Sequence, residues 1–348
     1  MADGAQDPVR VVRNDDAYRR YISGHEDATP FHRPEWGAAI AAATGHETHH
    51  FTALRGDVPV GAMPLTEIRS RLFGKSLVSS GFAVGGGPLF EDAAALAALD
   101  AAAWDHASKA GIATLEYRTG KAVHQDWPRK TGVYAGFVRP IHDDTDANLK
   151  AIPRKQRAEV RKSLKLGLDV RIGWDEADLR DHYEIYATSV RNLGTPVFPR
   201  ALFRDMLAHF GEDADILTVS KDGTPVASVL SFYQSGTVYP YWGGGTVAAR
   251  GLRANEHMYW MLMEHARTRG MTSFDFGRSK VGTGPYAYKK NWGFEPQPLT
   301  YEYRLGAGAA MPDLNPNSPK FRMLTKVWQR LPLPVANRLG PMIAKDLG

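Results

Sequence analysis

Two stretches of this chain repeat one another in the same order, and that duplication restricts its possible folds more than any other feature. Residues 51–65, from Phe51 through Arg55 and Val60 to Leu65, parallel residues 216–230, from Ile216 through Lys221 and Val226 to Leu230. Each runs from an apolar segment through a charged Gly/Asp turn into a Pro-Val strand start, which reads as a β-hairpin. A second echo comes after each hairpin: Asp105–Tyr117 parallels Glu264–Phe276. Both are a helix end, a glycine stop (Gly111, Gly270) and a short strand closing on a carboxylate, Glu116 or Asp275. The same order twice implies a duplicated unit. A length of 348 residues, about twice that of one ordinary domain, leaves room for one copy in each half.

The elements predicted around these echoes keep a common order. In the first half, helices are expected at residues 15–23, 34–43 and 93–110, with strands at 51–54, 58–69, 113–117 and 133–139. In the second half, helices are expected at 146–166, 176–190, 200–209 and 255–269. Strands are expected there at 168–172, 216–219, 226–233, 237–242, 273–276 and 299–304. Helices lead, an antiparallel meander comes next, and a helix and strand close each unit. That order fits an α/β (α+β) fold of two tandem GNAT-like acyltransferase units better than a doubly wound sheet, whose strands and helices alternate strictly. The expected boundaries are 1–145 for the first unit, 146–305 for the second and 306–348 for a basic amphipathic tail.

Composition narrows the chemistry. With 43% apolar and 23% charged residues, the chain can build a large core. It has no Cys, so disulfides, thiolate metal sites and a cysteine nucleophile are excluded. The first residues lack the basic and apolar regions of a signal peptide. No apolar run approaches the roughly 20 residues that span a bilayer. A cytoplasmic protein is the expectation. The net charge is +5, with basic clusters at 150–165 and 318–348; such clusters attract phosphates or are simply solvated helix faces. His46, His49 and His50 run into a strand, so they read as surface residues and no metal site is expected.

The segment densest in reactive groups is residues 273–294. A strand ending at Asp275 enters a glycine-rich stretch carrying Arg278, Lys280, Gly282 and Gly284, then Tyr286, Tyr288, Lys289, Lys290 and Trp292. Glycines let backbone N–H groups approach an anion, the cations can neutralise phosphate, and the aromatics can wall a pocket. Tyr239, Tyr241 and Trp242 are candidates to line a channel. Arg154, Arg157 and Arg191 are candidates for acceptor phosphates, and Arg161 extends that set.

With those residues in view, the chain resembles the FemAB family of aminoacyltransferases, and particularly the FemAB-like proteins associated with exosortase/PEP-CTERM polysaccharide systems. The resemblance rests on residues 273–294, Asn192–Pro199, Tyr239–Gly244, Arg250–Trp260 and Trp328–Gly340. It implies a tandem pair of GNAT units and transfer of an aminoacyl or acyl group to an amine of an envelope precursor, whether peptidoglycan peptide, exopolysaccharide or lipid. The aromatic–Lys pair of the Fem transfer site is matched by Tyr288-Lys289. Lys289 is expected to stabilise charge on the acyl oxygen, with Asp275 as base or as a group orienting Arg278.

The donor is left open between aminoacyl-tRNA and acyl-CoA, with no bound cofactor. A CoA-type phosphate loop carries several glycines at a helix start. The corresponding stretch here, Arg250, Gly251, Arg253 and Asn255, keeps basic residues and one glycine only. Acyl-CoA-dependent N-acylation of an amino sugar or lipid amine, and a non-catalytic binding role in polysaccharide assembly, are the alternatives. In the tail, Phe321, Leu324, Val327, Trp328, Leu331, Val335, Leu339 and Ile343 alternate with Lys320, Arg322, Lys326, Arg330, Arg338 and Lys345, broken by Pro332, Pro334 and Pro341. That pattern suits either a peripheral contact with the inner face of the membrane or a strap across the units.

Overall fold

A computed structural model describes residues 7–70, 74–312 and 319–346. The side chains of residues 319–324, among them Lys320, Phe321, Arg322 and Leu324, lie outside the described part. The chain begins with β1 (Val9–Val12), α1 (Asp15–Gly24), α2 (Pro34–Thr44), β2 (Glu47–Arg55), β3 (Val58–Ser70), β4 (Gly74–Ser79), β5 (Leu89–Phe90), α3 (Ala93–Lys109) and β6 (Thr114–Gly120). Next come β7 (Arg129–Pro140), α4 (Thr145–Ala151), α5 (Arg154–Ser163), β8 (Asp169–Gly173), α6 (Glu176–Leu193) and α7 (Arg200–Phe210). The meander is β9 (Ala214–Lys221), β10 (Thr224–Gln234) and β11 (Thr237–Gly245), and after it come α8 (Val247–Leu252), α9 (Ala254–Thr268) and β12 (Ser273–Asp275). The chain continues with β13 (Ser279–Lys280), α10 (Gly284–Asn291), β14 (Pro296–Leu305), α11 (Pro319–Arg330) and α12 (Leu333–Ala344).

Two compact units result. The first holds residues up to 131 together with 299–312, and the second holds 132–298 and the described residues from 319 onward. The first unit's sheet runs β1-β2-β3-β4-β6-β14, with β5 beside β3. The second unit's runs β7-β12-β11-β10-β9-β8, with β13 beside β7. In both, hairpin-linked antiparallel strands meet one parallel neighbour: β4 with β6, and β11 with β12. The two sequence echoes are therefore equivalent hairpins, β2–β3 and β9–β10, each succeeded by a helix (α3, α9) that packs on its sheet. In the first unit, Ala95, Leu99, Ala103 and Ala107 of α3 pack on Leu65, Leu77 and Leu115. In the second, Met258, Leu262 and Ala266 of α9 pack on Leu217, Val229 and Phe274.

Three expectations need correction. The helix expected over 146–166 is two helices, because Pro153 cannot continue a helix and sets Ile152 extended. The strand expected at 299–304 for the second unit pairs instead with β6 of the first, Tyr303 opposite Glu116 and Arg304 opposite Leu115. The glycine-rich stretch after Asp275 is no open loop: Gly282, at φ +79°, makes a turn into α10. Strands β1 and β4 were not anticipated; both are short and lack a strict alternation of apolar residues.

The histidines assigned to the surface are also placed differently. His49 of β2 and His106 of α3 both meet the carboxylate of Glu67 on β3, at 3.1 and 2.7 Å, and Glu67 is only 1% exposed. The three ligand-capable atoms lie within 4.8 Å of one another, a spacing a metal ion accepts. However, Arg69 Nε donates to the same carboxylate at 3.0 Å, and the Arg13 guanidinium sits 2.7 Å from His106 Nδ1. Two guanidinium charges repel a cation, so the cluster reads as an ionic anchor between β2, β3 and α3. Burial alone would raise the Glu67 pKa, but the donors from Arg69, His49 and His106 outweigh it and bring the pKa down to about 2.

A carboxylate depressed on folding stabilises the native state above its ordinary pKa near 4.5, and that contribution is lost as pH falls towards 2. Glu67→Gln is therefore expected to cost about 2–4 kcal/mol at pH 7. Denaturant titrations between pH 7 and pH 3 should find the mutant's penalty shrinking as the solution acidifies.

Candidate active site

In the second unit the parallel ladder of β11 and β12 comprises Thr237↔Ser273 and Val238↔Phe274. Beyond it β11 continues along β10 to Gly245, while β12 stays with β7, Asp275 opposite Val138. The two strands thus part at Tyr239 and Asp275. Backbone polar groups along such a split are available to a ligand.

A β-bulge adds to this. Leu230 of β10 pairs with Trp242 and Ser231 pairs with Pro240, leaving Tyr241 as the extra residue. The bulge breaks the alternation that would give Tyr239 and Tyr241 equivalent settings. Trp242 is buried against Phe203 and Phe232, ring centroids 5.1 and 5.9 Å away, so it is core and does not line a channel. Tyr241 packs at 4.8 Å against Trp242 and remains half-buried. Tyr239 is buried, and after burial the nearby Asp275 charge is what raises its hydroxyl pKa.

Helix α10 brings Lys289 back onto the end of β12. Its Nζ donates to the carbonyls of Gly277 and Arg278, both at 3.0 Å, and lies 5.4 and 5.3 Å from the rings of Phe137 and Phe276. Two carbonyls and two ring faces hold the ammonium in one place and shield it partly from water. Burial therefore lowers the Lys289 pKa; Asp275 opposes the shift, Arg278 adds to it, and the result is about 7. Asp275 responds in the opposite sense: burial raises its pKa, against the Gly277 amide that donates to it at 2.8 Å and the Lys289 charge. Burial pushes the amine and the carboxyl alike towards their neutral forms, which suits the pair to proton exchange.

Of the other expected residues, Tyr286 and Tyr288 of α10 pack on aromatic neighbours around Lys289. Tyr286 meets Phe137 edge-on at 5.3 Å, and Tyr288 packs at 6.3 Å against Phe276 and at 6.0 Å against Tyr259. Trp292 is fully buried, and its carbonyl accepts from Arg139, so it belongs to the core. Arg278 is exposed with its guanidinium 4.4 Å from the ring of Tyr134, and Lys280 lies on the same face of β13, opposite buried Ser279. Lys290 is exposed on α10. Arg154, Arg157 and Arg161 share one face of α5, opposite buried Gln156, Val160 and Ser163, and make a basic stripe.

Arg191 is not at this site. It donates to the carbonyl of Gln329 at 3.2 Å and fastens α11 to α6. Of the proposed donor-binding residues, Arg253 is engaged in an ion pair with Glu159, and Arg250 is exposed on α8. The Asn255 Oδ1 atom is buried and, among the described residues, has no hydrogen-bond partner; nor has the Thr246 hydroxyl at the end of β11. Sequence reasoning missed Phe137, Phe276 and Tyr259. Phe276 adjoins Asp275 and could have been added from its position alone, whereas Phe137 arrives from a strand about 140 residues away and carried no local signal.

The first unit has an equivalent parallel pair, Leu77↔Leu115 and Val78↔Glu116, but a different charge arrangement. Glu116 there accepts from Arg118 Nε at 2.8 Å in a mostly buried ion pair. Its carboxylate is neutralised by a permanently charged guanidinium, which cannot exchange a proton near pH 7.

Lys289 should therefore react with an amine-directed acylating reagent half-maximally near pH 7, read by mass spectrometry of the modified peptide. Asp275 raises this pKa, so Asp275→Asn should move the midpoint lower. A midpoint above pH 9 in the native protein would contradict the geometry.

Comparisons with known proteins concern the fold and the second unit's domain. Residues 154–290 match the family described as acetyltransferase (GNAT) domain. Among solved structures, FemX is similar with a TM-score of 0.70 at 16% identity, over 91% of this chain and 100% of that one. The C-terminal domain of a putative lysylphosphatidylglycerol synthetase from Agrobacterium fabrum gives 0.53 at 12% identity, over 84% of this chain and 92% of that one. A tandem GNAT protein from the clavulanic acid biosynthesis pathway gives 0.51 at 13%, over 87% and 100%. No curated protein matches. The chain has the α/β fold shared by FemX and tandem GNAT proteins, and residues 154–290 of its second unit match the acetyltransferase (GNAT) domain family.

Proposed function

We propose that the protein transfers an aminoacyl group from aminoacyl-tRNA to the amine of a cell-envelope precursor, a peptide, glycan or lipid, at the cytoplasmic face of the membrane. We place it, as part of the same reading, with the FemAB-like branch associated with exosortase/PEP-CTERM polysaccharide systems. The observation that carries the reading is Lys289, fixed by two carbonyls where β11 and β12 part, with Asp275 beside it.

Aminolysis of an ester requires three things of a protein: a neutral amine aligned on the carbonyl, a group to take the amine proton, and a donor towards the oxygen that becomes negative. Asp275, its pKa raised by burial, is suited to accept the proton lost by the attacking nitrogen. Lys289 in its protonated form donates towards the developing oxyanion and then protonates the departing ribose oxygen. The C–N bond forms, the C–O bond breaks, and the proton balance closes between the two residues. Tyr239 and Tyr288 wall the place where this would occur, and no metal is invoked.

Two observations support RNA as the source of the acyl group. The stretch between β11 and α9 folds into α8, where the Ala249 amide bonds to the Thr246 carbonyl and the Arg253 amide to the Arg250 carbonyl. Those amides are then turned inward instead of towards a pyrophosphate, as a CoA grip would need. The Arg154–Arg157–Arg161 stripe offers a surface for backbone phosphates. Acyl-CoA remains the second reading, favoured by the acetyltransferase family match. A lipid acceptor is supported by the fold shared with a protein named for lysylphosphatidylglycerol.

The test is a donor screen: thermal shift against acyl-CoAs of graded length, and filter retention of a mixed aminoacyl-tRNA pool. Retention of one aminoacyl-tRNA is expected, weakened about tenfold or more when Arg154, Arg157 and Arg161 are all changed to Glu. Lys289→Met should keep retention yet lower transfer by about a hundredfold or more. A chain-length-dependent shift with acyl-CoA and no RNA retention would replace this reading with acyl-CoA-dependent N-acylation. Silence with both donors would favour a non-catalytic binding role.

A further inference from the structure

Helices α11 and α12 pack on α6 of the second unit through an unusual choice of side chains. The residues of α12 that are buried are small: Ala336, Gly340 and Ala344, one per turn. Gly340 is required there, since a Cβ would meet the Val197 backbone nitrogen at 3.0 Å and its carbonyl at 3.1 Å. Three large apolar residues of α12 face outward instead. Val335 and Leu339 are each 42% exposed and Met342 is 65% exposed, while Val327 of α11 is 56% exposed. At helical spacing Val335, Leu339 and Met342 form one stripe. Arg338 lies exposed on the flank of that stripe, three residues from Val335 and four from Met342, and Lys326 and Arg330 are exposed on α11.

A helix that only braced the fold would bury Val335, Leu339 and Met342 and expose its alanines. The inverted arrangement leaves an apolar stripe edged by cations, which complements a layer with an acyl interior and anionic headgroups. An RNA backbone satisfies the arginines but not the apolar stripe. A second copy of the chain satisfies the stripe, yet it would bring the same basic flank against itself across a two-fold axis. No helix among the described residues is long and apolar enough to cross a membrane, so the contact is with a surface.

We propose that α11 and α12 dock the protein peripherally on an anionic phospholipid bilayer, with Val335, Leu339 and Met342 entering the headgroup layer and Arg330, Arg338 and Lys326 contacting lipid phosphates. This inference does not depend on the transferase reading. It concerns a different face, and its readout needs neither donor nor activity.

The experiment is co-sedimentation of the full chain with vesicles of phosphatidylglycerol and phosphatidylethanolamine, against vesicles of phosphatidylcholine alone. Binding to the anionic vesicles is expected, weakened several-fold between 0.1 and 0.5 M salt. The double variant Leu339→Asp/Met342→Asp, both at exposed positions, should lose at least tenfold in vesicle affinity with its melting temperature and its binding of acyl donors unchanged. Arg330→Glu/Arg338→Glu should remove the preference for anionic lipid. The proposal is overturned by absence of vesicle binding, or by undiminished binding of the Asp variant. It is overturned equally if sedimentation velocity finds a dimer that the Asp variant abolishes, which would make the face a self-association surface, or if tRNA, and not vesicles, binds through Arg330 and Arg338.

Discussion

Everything chemically distinctive in this protein depends on where one ammonium group is held. Lys289 Nζ is fixed by the carbonyls of Gly277 and Arg278 and enclosed by Phe137 and Phe276. Each of those four contacts comes from a different piece of the fold or from the turn after β12. The Gly277 carbonyl is presented because β12 ends at Asp275 and Gly277 takes a positive φ of 70°. Phe137 is there because β7 pairs with β12. Lys289 itself is aimed by α10, which Gly282 and its turn start in the right direction. Remove any of these and the lysine returns to water, where its pKa would be that of an ordinary surface amine.

The duplicated architecture explains why one copy carries this arrangement and the other does not. Both units place a carboxylate on a strand whose parallel partner runs alongside for two residue pairs, Glu116 within β6 and Asp275 at the end of β12. In the first unit Glu116 is paired with Arg118. In the second, Asp275 faces a lysine whose charge is itself weakened by burial. The first pairing is an ionic contact between β6 neighbours. In the second, burial pushes both partners towards their neutral forms, the amine to a pKa of about 7. The first unit concentrates its other buried charge at Glu67, where arginine and two histidines hold the carboxylate ionised. Buried charge there supports the fold, and in the second unit it is the basis of the proposed chemistry.

How much of this was legible in the sequence depended on how local each signal was. The hairpins at Phe51–Leu65 and Ile216–Leu230, and the helices ending at Gly111 and Gly270, announce themselves through short-range turn and capping chemistry. The aromatic–Lys pair Tyr288-Lys289 and the carboxylate Asp275 also lie within one short segment, so their association could be anticipated. The return of residues 299–305 to the first unit's sheet could not be read, because strand pairing across that separation has no local marker. Trp242 was misplaced because its packing against Phe203 of α7 has no local marker in the sequence. Arg191 and Arg253 carried no hint of their partners, Gln329 and Glu159, which are about 140 and 90 residues distant. Cations in sequence advertise charge, but their partners are set by tertiary packing.

The proposed acyl transfer takes place where β11 and β12 part, with Lys289 serving the acyl oxygen. The measurement that tests it most directly is a crystal structure with a hydrolysis-resistant 3′-aminoacylamido adenosine. The account predicts the acyl carbonyl within about 3 Å of Lys289 Nζ, with Asp275 reachable from the incoming amine. An analogue bound elsewhere, with Lys289 still enclosed by its carbonyls and rings, would contradict it.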